Sequence, residues 1–430
     1  MQPLTSPGRP RAARGRWIWR LSGVATVIML AVPGSWAIVR ATNHRSDGQA
    51  FSAFPTRTVT LPQAVTSLNV ASYGAPIQVT VGPVREVTVV ESISFNGPDG
   101  APKVTANVSH GVLTLAAPSC ENTGCSVGFA VTVPARVAVN ASSAGGEVRV
   151  SGAIAADLDS GGAPVTATGV TGALTITANG GGIDVHGAGS ANLDSGGGPI
   201  SASGITGALM VTSDGGGVDV HGAGAAHLDS GGGPIFASSV LGAVTATADG
   251  GGISVSGAEG ADLDSGGGPV NARTIDGPLN AVTDGGGLQV NGLTGTLSAD
   301  TGGGPVDAGG IASVTSRVTT NGGGAWISYS KMPQAVQVST SGGPGILELP
   351  GGPYAVTAES FGGLAQVSVP TSPSAASTVS VSTDSGQLRV TSPGMGNVDA
   401  AVAGRAGKRA GGVKHAPVRS KGSLVLSQPK

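Results

Sequence analysis

Acidic side chains set beside glycine runs are the first candidates for chemistry in this chain. The heptad Leu-Asp-Ser-Gly-Gly-Gly-Pro stands at Leu193–Pro199 and returns at Leu228–Pro234 and Leu263–Pro269. Carboxylate and hydroxyl oxygens could ligate a cation, and the N–H groups of a glycine run could cradle a phosphate. The same letters also describe a tight bend, in which glycine adopts backbone angles closed to other residues while Asp and Ser cap neighbouring N–H groups. Spacing decides between these readings. Asp159, Asp194, Asp229, Asp264 and Asp300 each lead into a glycine run at intervals of 35, 35, 35 and 36 residues. Asn179, Asp214, Asp249 and Asp284 form a second series 35 residues apart, which divides the unit into about 20 plus 15 residues. Calcium-binding β-roll repeats are nonapeptides with the acid after the glycines; here the acid comes first and the step is far longer. Asp159, Asp194, Asp214, Asp229, Asp249, Asp264, Asp284 and Asp300 are therefore read as structural turn residues.

A second candidate is a histidine–aspartate stripe, Asp184 with His186 and Asp219 with His221 one unit later. Both residue types ligate metals. If each unit makes two coils, however, the pairs stand about 10 Å apart, too far for bonds of about 2 Å to one ion. Ser201 and Ser203 fall on the strand between, and Ser254 and Ser256 replace the pair in the next unit, so the stripe reads as a solvated face. Polysaccharide cleavage would need convergent carboxylates, or carboxylates with Arg or Lys, in one groove. Between Val150 and Pro393 the basic residues are Arg273, Arg317, Lys331 and Arg389, and the acids recur at turns. No nucleophile elbow, phosphate loop or nucleotide fingerprint stands in a strand-to-helix context. No catalytic residue, metal ligand or cofactor is assigned. Cys120 and Cys125, in Ser-Cys-Glu-Asn-Thr-Gly-Cys, are the only cysteines, and an exported chain would join them in a disulfide.

The elements that must carry these residues follow from composition. The chain has 430 residues with 75 glycines, 39% apolar residues, 11% charged residues and a net charge of −2, far from ordinary globular usage. The glycines lack a three-residue period, which excludes collagen. Short alternating stretches such as Gly217-Val218-Asp219-Val220-His221 exclude simple disorder and predict strands. Helical repeats fail because three glycines per half-unit would cost roughly 1 kcal/mol each. The expected fold is all-β: a β-solenoid on 35-residue, two-coil repeats over residues 143–325, with strands of successive coils pairing. Residues 58–142 carry longer, richer β-segments that serve as opening coils or a β-cap, and 326–393 continue as irregular coils.

Ahead of the solenoid, Leu21 to Val39 are nineteen residues without a charge, preceded by Arg9, Arg11, Arg14, Arg16 and Arg20. A helix of that length nearly spans a hydrocarbon core of about 30 Å, and the arginines leave the amino terminus in the cytoplasm. A cleavable signal peptide ending at Ser35-Trp36-Ala37 is the alternative, and it exports the same residues. Trp17, Trp19 and Trp36 bracket the segment and favour an uncleaved anchor. Residues 1–20 are then a cytoplasmic basic segment, 40–57 a linker, and 394–430 a basic tail without strand periodicity, expected to be disordered. Nucleic acid is not an expected partner, because the repeat zone lacks clustered Lys and Arg. The membrane is an expected partner, and envelope glycan or anionic polymer is a further one.

The stretch Thr66–Gly152 resembles the opening of the bacterial putative adhesin family. The likeness rests on Leu-Asn-Val-Ala-Ser-Tyr-Gly-Ala-Pro-Ile-Gln-Val-Thr-Val-Gly, on the strand ending Val133-Pro134, and on the coil signature Gly145-Gly146-Glu147-Val148. It covers residues 60 to 390. The chain departs from it in its triple glycines, where such domains more often carry Ser-Gly-Asp. The resemblance implies an exported, membrane-tethered β-solenoid and little about ligands. The expectation is a cell-surface solenoid of structural, adhesive or envelope-interaction role, with a β-helix carbohydrate enzyme or a calcium-stabilised repeat protein as alternatives.

Overall fold

The computed structural model describes residues 57–61, 64–95, 102–118, 125–393 and 424–426. These lie in one compact unit, and every element among them is a β-strand. Among the described residues no helix is long and apolar enough to cross a membrane. The proposed anchor Leu21–Val39 falls outside them, as does Cys120.

The regular body is a stack of flattened coils. In each, a front strand follows the glycine-rich corner, a single-residue bend turns the chain, and a back strand leads into the next glycine corner. Ile183–Ser195 and Ile200–Ser213 are two such coils, each running through its bend as one strand. Pairing is parallel and in register, from Val165 to Ile183, Ile200, Val218 and Ile235, steps of 18, 17, 18 and 17 residues. The division at 20 and 15 residues marks where the Asp letters fall, whereas the coils themselves are nearly equal. Asp194 pairs with Thr212, and Asp214 lies one residue beyond the Ser213 that pairs with Ser195.

Alternation fixes which side chains enter. Ile183, Val185 and Ala188 on the front, with Ala191, Leu193 and Ser195 on the back, are all buried, and the residues between them face outward. Stacked coils therefore build a narrow interior of Ala, Val, Ile and Leu, each fully buried large side chain contributing roughly 1.5–3 kcal/mol. Tyr329, Tyr354 and Phe129 are the largest side chains in it, and all three sit away from the most glycine-rich coils.

Both ends leave the simple order. At the amino end, the coil of Ser67–Ser72 and Gly74–Gly82 stacks directly on Ala138–Ser143 and Val148–Ser151. Arg57–Leu61 and the residues between these coils supply outer strands, with antiparallel pairs Arg57–Leu61 on Val87–Ser94, Val87–Ser94 on Ser126–Pro134, and Thr105–Ser109 on Val112–Ala116. At the carboxyl end, the coil of Thr378–Thr383 and Leu388–Thr391 inserts between Ala335–Thr340/Gly345–Glu348 and Ala355–Ser360/Ala365–Val367. Leu424–Leu426 pairs with the outer edge of Ala365–Val367. Such strands cover sheet edges that would otherwise template association.

Candidate binding face

The glycine corner is built by a buried hydroxyl column. Ser195, Ser230 and Ser265 are fully buried, and each Oγ donates to the carbonyl three residues on, Gly198, Gly233 and Gly268, at 2.9 Å. They also reach back to the preceding coil, to Gly181, Gly216 and Gly251, at 3.3, 3.3 and 3.0 Å. On other coils the hydroxyl accepts as well as donates: Ser160 and Thr283 bond the carbonyls of Ala163 and Gly286 and accept from the N–H groups of the same two residues. Sequence reading had the Asp and Ser of the heptad capping N–H groups; the three serines instead donate to carbonyls within the corner. The readable signal was the phase: in Leu193-Asp194-Ser195, Leu and Ser share the inner face.

The eight turn acids occupy two positions. Asp159, Asp194, Asp229, Asp264 and Asp300 are outward residues at the ends of back strands, alternating along one column with Thr177, Thr212, Thr247 and Val282. Asp214, Asp249 and Asp284 open the corner itself, their N–H groups bonding back to Ser195, Ser230 and Ser265. Partial burial raises the Asp264 carboxyl above the usual range, and Asp284, Asp262 and Asp249 push it further up. Burial, with Asp157 nearby, does the same for Asp159. Among the described residues no group of three or more His, Cys, Asp and Glu is placed to hold a metal ion. Cys125 is disulfide-bonded.

The second corner was missed. Gly152, Gly169, Gly187, Gly204, Gly222, Ser239, Gly257, Thr274, Gly292 and Gly310 all have left-handed φ, between 53° and 83°, one per coil. Their spacing of 17 or 18 residues was available in the sequence but hidden behind the more conspicuous triple glycines.

The outer front face carries the histidine–aspartate stripe. His186 Nε2 lies 3.2 Å from Asp184 Oδ1, both side chains about half exposed, and its Nδ1 meets Ser203 Oγ at 2.8 Å. His221 Nδ1 likewise meets Ser238 Oγ at 2.9 Å. The histidines are thus held by serines on the next coil and do not converge on a common centre.

Beside this stripe, one outward column reads Arg149, Thr166, Asp184, Ser201, Asp219 and Phe236 on successive coils. These residues line an open groove of about 690 Å³ together with Pro164, Gly182, Pro199 and Gly217. Arg149 is paired with Glu147 at 2.5 Å at one end, and Phe236, 52% exposed, stands at the other. The sequence reading of separated, solvated pairs holds for the stripe, but it overlooked the groove, because a column across coils is invisible until the register is known.

No family model matches the chain, and no curated protein matches it. Solved structures similar to it include a putative adhesin from Parabacteroides distasonis (12% identity, 78% of this chain, 97% of that one, TM-score 0.20). A putative adhesin from Bacteroides fragilis aligns at 10% identity over 78% of this chain and 95% of its own, with TM-score 0.15. A putative cell adhesion protein from Clostridium sporogenes does so at 8%, over 78% and 99%, with TM-score 0.14. Likenesses with TM-scores this low carry no argument about family or activity.

Proposed function

We propose that the chain is a single-pass, membrane-anchored surface protein whose exported β-solenoid has a structural or adhesive role and no catalysis. The observation that carries this reading is the unbroken parallel register from Ala138–Ser143 to Ala335–Thr340. Eleven steps of about 4.8 Å give a rod of roughly 50 Å, suited to presenting a long polar face. Along that face the acids are spread one coil after another, whereas catalysis needs them gathered with a nucleophile or general acid. The apolar segment Leu21–Val39, with arginines before it, supplies the anchor and places the amino terminus inside and the solenoid outside the cell. Seven Lys and Arg between Arg405 and Lys430 suit docking on anionic lipid or envelope polymer.

Epitope tags at the two ends, probed with antibody and protease on intact cells, test the topology. The solenoid should be accessible and residues 1–20 protected. A fully protected solenoid would reject surface display, and release of reducing ends from a polysaccharide by the purified chain would reject the non-catalytic half.

A further inference from the structure

We propose that the front-face groove from Arg149 to Phe236 binds a neutral, linear oligosaccharide lying along the solenoid axis; the inference rests on the reading of the chain as a surface protein. Length is the first argument. Five coil-to-coil steps of about 4.8 Å make a groove of about 24 Å, open along its side and long enough for several sugar rings in a row.

Lining chemistry is the second. Sugar hydroxyls both donate and accept, and the column offers acceptors at Asp184 and Asp219, mixed groups at Thr166 and Ser201, and a donor at Arg149. Asp184 and Asp219 stand two coils apart, so a polymer with a repeating unit can meet the same group twice along the groove. Glu147, Asp184 and Asp219 outweigh Arg149, which makes the groove net acidic and unfavourable to polyanions.

The third argument is the platform. Aromatic residues make up only 3% of the chain, and Phe129, Tyr329 and Tyr354 are buried. Phe236 is nonetheless half exposed at the groove's end, where a ring can pack against the C–H face of a sugar. Prolines and glycines alternate along the groove at Pro164, Gly182, Pro199 and Gly217, residues that project little side chain into it. The same column continues through Ser254, Asn271, Gln289 and Asp307 to Trp326, 40% exposed. Its indole leans back over Gly324, where a Cβ would lie 3.0 Å from the ring. A second aromatic thus stands five coils beyond the first, with a hydroxyl, two amides and a carboxylate between them.

The test is calorimetric titration of the full chain, solubilised in detergent, with cellohexaose and chitohexaose as neutral probes, cellobiose as a short probe and hexagalacturonate as an anionic one. At least one neutral hexasaccharide should bind more tightly than cellobiose and hexagalacturonate. Phe236→Ala should weaken it roughly tenfold, the scale of one lost aromatic contact. Asp219→Asn should weaken it as well, and Trp326→Ala less than Phe236→Ala, with unfolding temperatures unchanged. Failure of both neutral hexasaccharides to bind, preference for hexagalacturonate, or indifference to both Phe236→Ala and Asp219→Asn would overturn the assignment. Antibody labelling of intact cells separates the two readings: a displayed solenoid that binds no neutral hexasaccharide rejects the groove alone, and an undisplayed one rejects the surface role.

Discussion

The two corners of each coil solve the same problem by different physics. At the glycine corner the limit is space. Gly216 has ordinary φ, yet a Cβ there would lie 2.0 Å from the Gly198 carbonyl oxygen, because successive coils touch backbone to backbone. At the opposite bend the limit is conformation. Gly204 has φ +67° and only ordinary contacts around it, and the equivalent places on later coils are taken by Ser239 and Thr274 at φ +57° and +53°. Relaxing a steric limit means easing two coils apart locally, whereas a conformational one costs a bounded strain. The first corner accordingly keeps its close-contact glycine from Gly181 through Gly343, with Ala163 the exception where the regular coils begin, whereas the second admits Ser239 and Thr274 within the regular coils.

The largest effect should come from breaking the spatial limit. Gly216→Val drives a branched side chain into backbone that cannot yield, and a loss of about 3 kcal/mol or more is expected in denaturant unfolding. Ser195→Ala should cost much less, about 1 kcal/mol for the buried hydrogen bonds it removes, because Ala178 and Ala248 already occupy that column on other coils. At the conformational corner the sign reverses. Thr274→Gly relieves a β-branched residue of left-handed strain and should raise stability by about 0.5–1 kcal/mol, net of glycine's greater unfolded freedom. The acids at the glycine corner give the smallest effect. Asp264 and Asp159 have folded pKa values above the ordinary 3.8. Their contribution is therefore fully present below pH 3.8 and is lost as pH rises through the raised values. Unfolding temperature should increase slightly on acidification from neutral pH, and Asp264→Asn should flatten that increase; a decrease would reverse the assigned sign.

How much of this was legible in the sequence depended on whether the signal lay along the chain or across it. The all-β solenoid was legible, since the 35-residue spacing of Asp159 to Asp264 and the alternating pattern of Val218 to His221 lie along the chain. The equal coils were not, because Asp194 and Asp214 occupy different structural positions and mislead when taken as equivalent. The out-of-order coil at Thr378–Thr391 was equally hidden: Ser341-Gly342-Gly343 and Asp384-Ser385-Gly386 both read as corners, and spacing does not say which stacks on which. The stripe of Asp184 and His186 could be judged from local alternation. The groove ending at Phe236 could not, because its residues are 17 or 18 apart and meet only through inter-coil register.

Spin labels paired at Asp159 with Asp229, Asp264 and Asp300 test the ladder most directly, by electron–electron distance measurement. Four, six and eight coil steps at about 4.8 Å each should give distances near 19, 29 and 38 Å, rising linearly. Distances that fail to grow with the number of intervening coils, or that cluster near one value, would contradict the stacked solenoid.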